Sequence, residues 1–200
     1  MAVRGTKLRD RRQRIKHSRK RLALRIMEMD KAYAPFVMEE VEMEGLLHTV
    51  KISHAPGMAT LGGKIDRVDR KGEVVRVVDY KTGKDEMNFE SVESLFDRNG
   101  KRNKAAFQTF LYALLYKTKA PQGKKIIPGL ISRVNLFESD TPFGLQLKKQ
   151  PIDDVHPLLG DFEKHLHQLL EELYDPAIPF DQTTLLENCR LCPYRGICYR

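Results

Sequence analysis

The sequence predicts a mixed α/β fold in which helices pack on a small central sheet. Amphipathic helical patterns lie near both ends and in the middle of the 200-residue chain, and β-type segments lie between them. The length suits one domain, and the 41% hydrophobic content is enough for one core. No apolar run approaches the roughly 18 residues that a membrane span needs, and no signal-peptide pattern follows the N-terminus. We therefore expect a cytoplasmic protein without a membrane partner.

Three helices are predicted from apolar residues that recur every three or four positions. The first runs from about Lys7 to Tyr33 and is ended by Pro35. The second covers Ala105–Lys117, and the third covers Leu158–Tyr174. The stripe of the first helix consists of Ile15, Leu22, Ile26, Met29 and Tyr33.

Four strands are predicted between these helices. Residues 36–52 have β-type composition, and Thr60–Asp69 and Glu73–Lys81 are joined by a short connection containing Gly72, which is typical of a hairpin. The strand before Lys81 is β-branched and apolar, so we expect it to lie centrally in the sheet. Lys125–Phe137 is the last strand, and Pro128 suits an edge position.

The net charge of +8 is concentrated in one segment. Residues 1–25 hold eleven Lys or Arg against one acid, Asp10. A dense positive arm suits a phosphate backbone, whose counterions it can release, but basic runs are also common on solvated helix faces. We expect residues 1–35 to form a basic helix that packs on a core of residues 36–180, and we leave both interpretations of its charge open.

A cluster of charges stands at the end of the central strand. Side chains alternate across a strand, so Asp79 and Lys81 share a face with Val75 and Val77. Charges that continue a buried apolar row cost several kcal/mol unless they are paired or bind a metal. If the two strands pair as a hairpin, Asp66 lies across from the region of Asp79. The alternative is an ordinary hairpin with surface ion pairs.

Two carboxylates on one face repel each other unless a cation is present. Mg²⁺ accepts one or two carboxylates together with water and phosphate oxygens. Lys81 could position an attacking water or stabilise the charge of a pentavalent phosphate. Phosphodiester hydrolysis by a metal-activated water is the reaction that this set of groups suits.

The order of these motifs resembles the RecB-like branch of the PD-(D/E)XK nucleases. The resemblance is carried by Gly63-x-x-Asp66, by Asp79-Tyr80-Lys81-Thr82-Gly83 and by Gln108-x-x-x-Tyr112. It implies a restriction-endonuclease-like core and a Mg²⁺ or Mn²⁺ ion held by Asp66, Asp79 and the backbone carbonyl of Tyr80. It further implies that Lys81 is the catalytic lysine, and that Gln108 and Tyr112 orient Lys81 or the DNA.

The sequence departs from that family pattern upstream. Family members usually carry a histidine on a helix before the first strand as a further metal ligand, and His17 is the only histidine there. It stands among basic residues, without Gly-rich, apolar surroundings. Glu40 lies where relatives often have a glutamate and is expected to be a supporting residue. We expect the chain to be a fragment of a longer protein that begins after the histidine motif.

The last segment, residues 181–200, contains Cys189, Cys192 and Cys198 at a metal-ligand spacing. It resembles the tail of the iron–sulfur PD-(D/E)XK nucleases of bacterial helicase–nucleases and CRISPR-associated exonucleases. The resemblance implies a [4Fe–4S] cluster whose fourth cysteine is absent from this chain. A zinc site and a reduced, metal-free tail are the alternatives. The zinc site would be completed by a histidine such as His156, His165 or His167.

The sequence therefore predicts a Mg²⁺- or Mn²⁺-dependent DNA nuclease that forms the C-terminal module of a larger recombination or repair protein. The resemblance favours single-stranded or end-bearing DNA as substrate and a helicase subunit or upstream helicase-like region as partner. A nuclease-like module that binds DNA or a partner without cleavage is the main alternative. A phosphodiesterase for RNA or small molecules is another, and exonuclease and endonuclease action are not distinguished.

Overall fold

A computed structural model describes residues 3–54, 57–83, 85–98, 102–137 and 143–200, with the side chains of residues 3–17 and 135 left out. Its three α-helices are α1 (Val3–Tyr33), α2 (Lys104–Lys117) and α3 (His156–Tyr174). All three were predicted, although α1 and α3 begin earlier than their apolar stripes. In the part of the chain described, no helix is long and apolar enough to cross a membrane.

The strands form three sheets. The central sheet has the order β1-β4-β5-β7, a second sheet pairs β2 with β3, and a third has the order β6-β8-β9. β7 runs parallel to β5, whereas β1, β4 and β5 are antiparallel neighbours, so the central sheet is mixed as predicted. The strands are β1 (Val37–Met43), β2 (Leu47–Lys51), β3 (Met58–Gly62), β4 (Ile65–Lys71), β5 (Val74–Lys81), β6 (Asn88–Phe89), β7 (Lys125–Ser132), β8 (Gln146–Leu147) and β9 (Gln150–Pro151).

Three predicted strands were too long. Residues 36–52 divide into β1 and β2, because Gly45 adopts a φ of 85° that turns the chain out of the central sheet. The predicted strand Thr60–Asp69 is likewise the end of β3 followed by β4, which belong to different sheets. The last predicted strand ends at Ser132, and residues Asn135–Phe137 form a 3₁₀ helix instead.

The predicted central hairpin is confirmed, but its turn lies later than predicted, because β4 continues past Asp69 to Lys71 and β5 begins at Val74 rather than Glu73. β4 and β5 pair from Arg67 opposite Val78 to Lys71 opposite Val74, with a two-residue turn between. Gly72 has a φ of 59°, which the first position of a type II′ hairpin turn requires. β5 lies between β4 and β7, and Pro128 lies in β7 at the sheet's edge.

The two faces of the central sheet pack against different helices. Val68, Val75 and Val77 belong to the main core, which also contains the apolar residues of α2 and α3. On the other face, Leu22, Ile26 and Met29 of α1 pack against a smaller cluster. Its buried members are Val78, Ile131 and Leu136. This arrangement is a restriction-endonuclease-like α/β core, with the cysteine tail following α3.

Candidate active site

Asp66 and Asp79 lie together at one edge of the central sheet. The β4–β5 register places Arg67 opposite Val78, so Asp66 lies across from Asp79. The backbone N–H of Tyr80 donates a 2.8 Å hydrogen bond to Asp66 Oδ2. The Asp66 carboxylate is therefore tied to the end of β5, on the neighbouring strand.

Asp79 carries a buried oxygen without a hydrogen bond. The residue is 2% exposed, and its Oδ2 accepts no hydrogen bond from the described residues. Lys81 Nζ lies 2.9 Å from this oxygen, close enough for an ion pair but not aligned for a hydrogen bond. Burial raises the pKa of Asp79, the direct contact with the Lys81 ammonium and its charge oppose this effect, and the charges of Asp66 and Asp85 add to it.

Lys81 is held by two residues of α2. Its Nζ donates a 2.5 Å hydrogen bond to Gln108 Oε1, and Gln108 Nε2 donates a 2.6 Å hydrogen bond to the Tyr112 hydroxyl. Gln108 and Tyr112 are one helical turn apart and so share a face of α2. Asn103 caps the helix by accepting a hydrogen bond from the Ala106 N–H. The helix thus fixes the direction of the ammonium group.

Gly63 has a specific place beside this chain of hydrogen bonds. A Cβ atom on Gly63 would lie 2.7 Å from Cε1 of the Tyr112 ring, closer than a van der Waals contact allows. The absence of a side chain therefore lets the Tyr112 ring pack on the backbone just before Asp66. This close approach gives a physical reason for the glycine of the Gly63-x-x-Asp66 motif.

The donor set fits a hard divalent cation. The buried residue Asp79 lies across from Asp66, and two carboxylates with further oxygens from water and substrate are what Mg²⁺ prefers. Among the residues that the structure describes, no group of three or more His, Cys, Asp and Glu side chains is arranged to hold a metal.

The upstream candidates lie elsewhere. Glu40 forms an ion pair with Lys119 rather than with the site. Its neighbour Glu39 accepts hydrogen bonds from Arg70 and from the Tyr116 hydroxyl, the second at 2.8 Å. The side chain of His17 lies outside the described residues.

The cysteine tail does not fit a metal centre in the residues described. Cys189, Cys192 and Cys198 are free and half-buried, and they are not gathered into a group that could hold a metal. The histidines considered for zinc pair with carboxylates instead. These pairs are His156 with Asp154 at 2.7 Å, His165 with Asp161 at 3.6 Å and His167 with Glu171 at 3.3 Å. Neither the [4Fe–4S] nor the zinc expectation is supported.

Two features near the site were missed by sequence reasoning. Asp85 raises the pKa of Asp79 through its charge, and only its position shortly after Asp79 could have indicated it. The sheet's other face holds a buried layer of Arg67, Asp69 and Arg76. The sequence did contain a signal for this layer. The charged residues of β4 and β5 stand at both odd and even positions, which places charges on both faces of these central strands.

Comparison with known proteins agrees with this geometry. The model of the PD-(D/E)XK nuclease superfamily matches residues 3–199, almost the whole chain. No curated protein and no solved structure matches it. The chain therefore belongs to the PD-(D/E)XK nuclease superfamily.

Proposed function

We propose that this protein is a Mg²⁺- or Mn²⁺-dependent deoxyribonuclease whose active site is formed by Asp66, Asp79 and Lys81. The observation that carries the proposal is the buried Asp79 carboxylate, which lies across from a second carboxylate, Asp66, and whose Oδ2 has an ion pair with Lys81 but no hydrogen bond from the described residues. Two carboxylates and one ammonium leave a net negative charge, which a divalent cation would balance. Membership of a nuclease superfamily supports the same conclusion.

Each side chain has a distinct part in this proposal. Asp66 and Asp79 would hold the cation, together with the backbone carbonyl of Tyr80. A divalent cation at this position polarises a phosphoryl oxygen and lowers the pKa of a bound water. Lys81 would donate to the attacking water or to a phosphate oxygen. Gln108 and Tyr112 would keep the ammonium in place, because Gln108 Oε1 accepts from Lys81 and Tyr112 accepts from Gln108.

The substrate and setting are part of the proposal. The concentration of positive charge in residues 1–25 favours a polyanion. We infer single-stranded or end-bearing DNA as substrate, a role in recombination or repair, and a helicase subunit or helicase-like region as partner. The resemblance of the Asp66, Asp79–Gly83 and Gln108–Tyr112 motifs to RecB-like nucleases supports these inferences.

A cleavage assay on end-labelled and internally labelled single- and double-stranded DNA, with RNA in parallel, tests the proposal. The wild type should cleave DNA with Mg²⁺ or Mn²⁺ and lose activity with a chelator. Asp79→Asn should lower the rate by about a thousandfold, because losing cation binding removes several kcal/mol of transition-state stabilisation.

Asp161→Asn is the matched control, because the Asp161 side chain is 54% exposed on α3 and, among the residues described, forms its ion pair with His165. It should cleave like the wild type. Cleavage that persists in Asp79→Asn would refute the site. DNA binding by the wild type without any cleavage would instead favour the nuclease-like binding module, and cleavage of RNA alone would replace DNA as the substrate.

A further inference from the structure

A buried layer of charges joins α1 to the face of the sheet opposite the candidate active site. Arg67 donates two hydrogen bonds of 2.8 Å to the two oxygens of Asp30 on α1. It also donates to Asp69 Oδ2 at 2.9 Å and to the Tyr80 hydroxyl at 3.1 Å. Arg76 donates to both oxygens of Asp69, at 2.7 and 2.8 Å. Every charged group of the layer therefore has a geometrically sound partner.

The positive and negative charges of the layer are equal in number, and its side chains are largely buried. It contains two guanidinium groups and two carboxylates, and Arg67 and Asp69 are 3% and 0% exposed. Burial lowers the pKa of Arg67, but its hydrogen bonds to Asp30 and Tyr80 and the charge of Asp69 outweigh that effect and raise it. Charges buried with such geometry move little, because any displacement leaves one unpaired.

Tyr80 links this layer to the active site. It stands between Asp79 and Lys81, and its hydroxyl accepts from Arg67 on the α1 side of the sheet. Its backbone N–H donates to Asp66 Oδ2, at the site. β5 ends at Lys81, and Thr82 and Gly83 are exposed bends. The end of β5 is paired with β7 as far as Lys81 opposite Ser132, whereas its pairing with β4 ends at Arg67 opposite Val78. Unpaired strand ends fray, so the bond from Arg67 on β4 to the Tyr80 hydroxyl helps to hold β4 against β5 where Asp66 and Asp79 meet.

We propose that Asp30, acting through Arg67 and the Tyr80 hydroxyl, is a positioning residue for the active site. Docking of α1 then holds the end of β5 in the arrangement in which Asp66 and Asp79 meet a divalent cation. The inference rests on the proposed function, since it assumes that these two carboxylates bind that cation. The basic helix is thereby coupled to metal affinity through Arg67 and Tyr80.

The variant Tyr80→Phe tests this link, because it removes the hydroxyl and keeps the ring. The measurement is Mn²⁺ binding to DNA-free protein by calorimetry, with thermal unfolding as a check of the fold. Losing one hydrogen bond to a charged group should weaken Mn²⁺ binding by about three- to tenfold. Asp30→Asn should act in the same direction, and the double variant should be weakened less than the product of the two single effects, because both act through Arg67.

Tyr33→Phe is the matched control. Tyr33 lies on α1 with its ring 3.4 Å from Arg76 Cζ, and its ring would stay in place after the substitution. This variant should bind Mn²⁺ like the wild type. Mn²⁺ affinity that is unchanged in Tyr80→Phe, or weakened equally in Tyr33→Phe, would overturn the inference while leaving the proposed nuclease intact. A wild type that neither binds Mn²⁺ nor cleaves DNA would overturn both.

Discussion

Both faces of the central sheet carry charged residues, but the buried aspartates on the two faces differ in their hydrogen-bond partners. On the α1 face, Asp69 accepts from Arg67 and Arg76 and is completely buried. On the α2 face, Asp79 is equally inaccessible, yet its Oδ2 accepts no hydrogen bond from the residues described. Asp69 thus accepts three hydrogen bonds from two arginines, whereas Asp79 Oδ2 has an ion pair with Lys81 at 2.9 Å.

We interpret Asp69 as a charge that stabilises the fold and Asp79 as a charge that can bind a ligand. Asp69 with its arginines stabilises the layer only while each partner is present, since removing one leaves an uncompensated buried charge. Asp79 is held in an unfavourable state by its surroundings, which raise its pKa. Such groups are typical of functional sites. Three experiments test whether the contrast holds.

The largest effect is expected from Asp69→Asn. This change leaves two buried guanidinium groups facing one carboxylate, Asp30, and should lower the free energy of unfolding by about 3–5 kcal/mol. Asp79→Asn should lower it much less, because Asp79 Oδ2 has one ion pair, with Lys81, and no hydrogen bond from the described residues, and Lys81 keeps its bond to Gln108. Urea denaturation of the metal-free proteins measures both. Similar losses in the two variants would show that the faces do not differ as described.

A smaller effect is expected from Gly63→Ala. The new Cβ would lie 2.7 Å from the Tyr112 ring, so the ring must shift at a cost of about 1–3 kcal/mol. The shift should also disturb the hydrogen bond from Gln108 to Tyr112 and lower the cleavage rate. Gly160→Ala on α3 is the control, because a Cβ there meets no atom within 4 Å. Unchanged stability and rate in Gly63→Ala would contradict the proposed close approach.

The smallest effect is a pH dependence that belongs to Asp79. Its pKa is raised in the folded protein above the ordinary value of 3.8, so between these two values the folded state binds more protons than the unfolded state. The free energy of unfolding of the metal-free protein should therefore fall as pH rises through that window, by at most about 1.4 kcal/mol per pH unit.

Other carboxylates titrate nearby, and Glu39, for example, has a lowered pKa because hydrogen bonds from Arg70 and Tyr116 outweigh its burial. The informative quantity is thus the difference between the wild type and Asp79→Asn at each pH. Mn²⁺ affinity of the wild type should rise with pH over the same window, since the cation competes with the proton. A pH-independent difference in unfolding free energy would show that Asp79 titrates normally.

Much of the fold could be predicted from periodicity. The three helices, the β4–β5 hairpin and the central place of β5 follow from patterns that burial on one or both faces imposes. The division of residues 36–52 into two strands could not be predicted, because Gly45 is compatible with several turns and the choice depends on which sheet receives β2. The 3₁₀ helix at Asn135–Phe137 was missed because short apolar runs suit either state.

The parts of the candidate site's geometry that depend on local motifs could be predicted from the sequence. Alternation in β5 placed Asp79 and Lys81 on one face, and the structure brings Gln108 to Lys81 as the resemblance implied. The link from Asp30 to Tyr80 joins residues far apart in the sequence, so no local pattern could indicate it. The cysteine spacing suggested a metal, but spacing alone does not bring the sulfur atoms together.

The hairpin turn at Gly72 and Glu73 affects the position of Asp66 and Asp79 at the far end of β4 and β5. Because successive side chains of a strand point in opposite directions, the number of residues in this turn decides which aspartates face α2 and which face α1. A shift of the β4–β5 register by one residue would place Arg67 beside Asp79 and would turn Asp66 towards the arginine layer. The tight turn therefore helps to keep the two carboxylates of the proposed site and the arginine layer on opposite sides of one sheet.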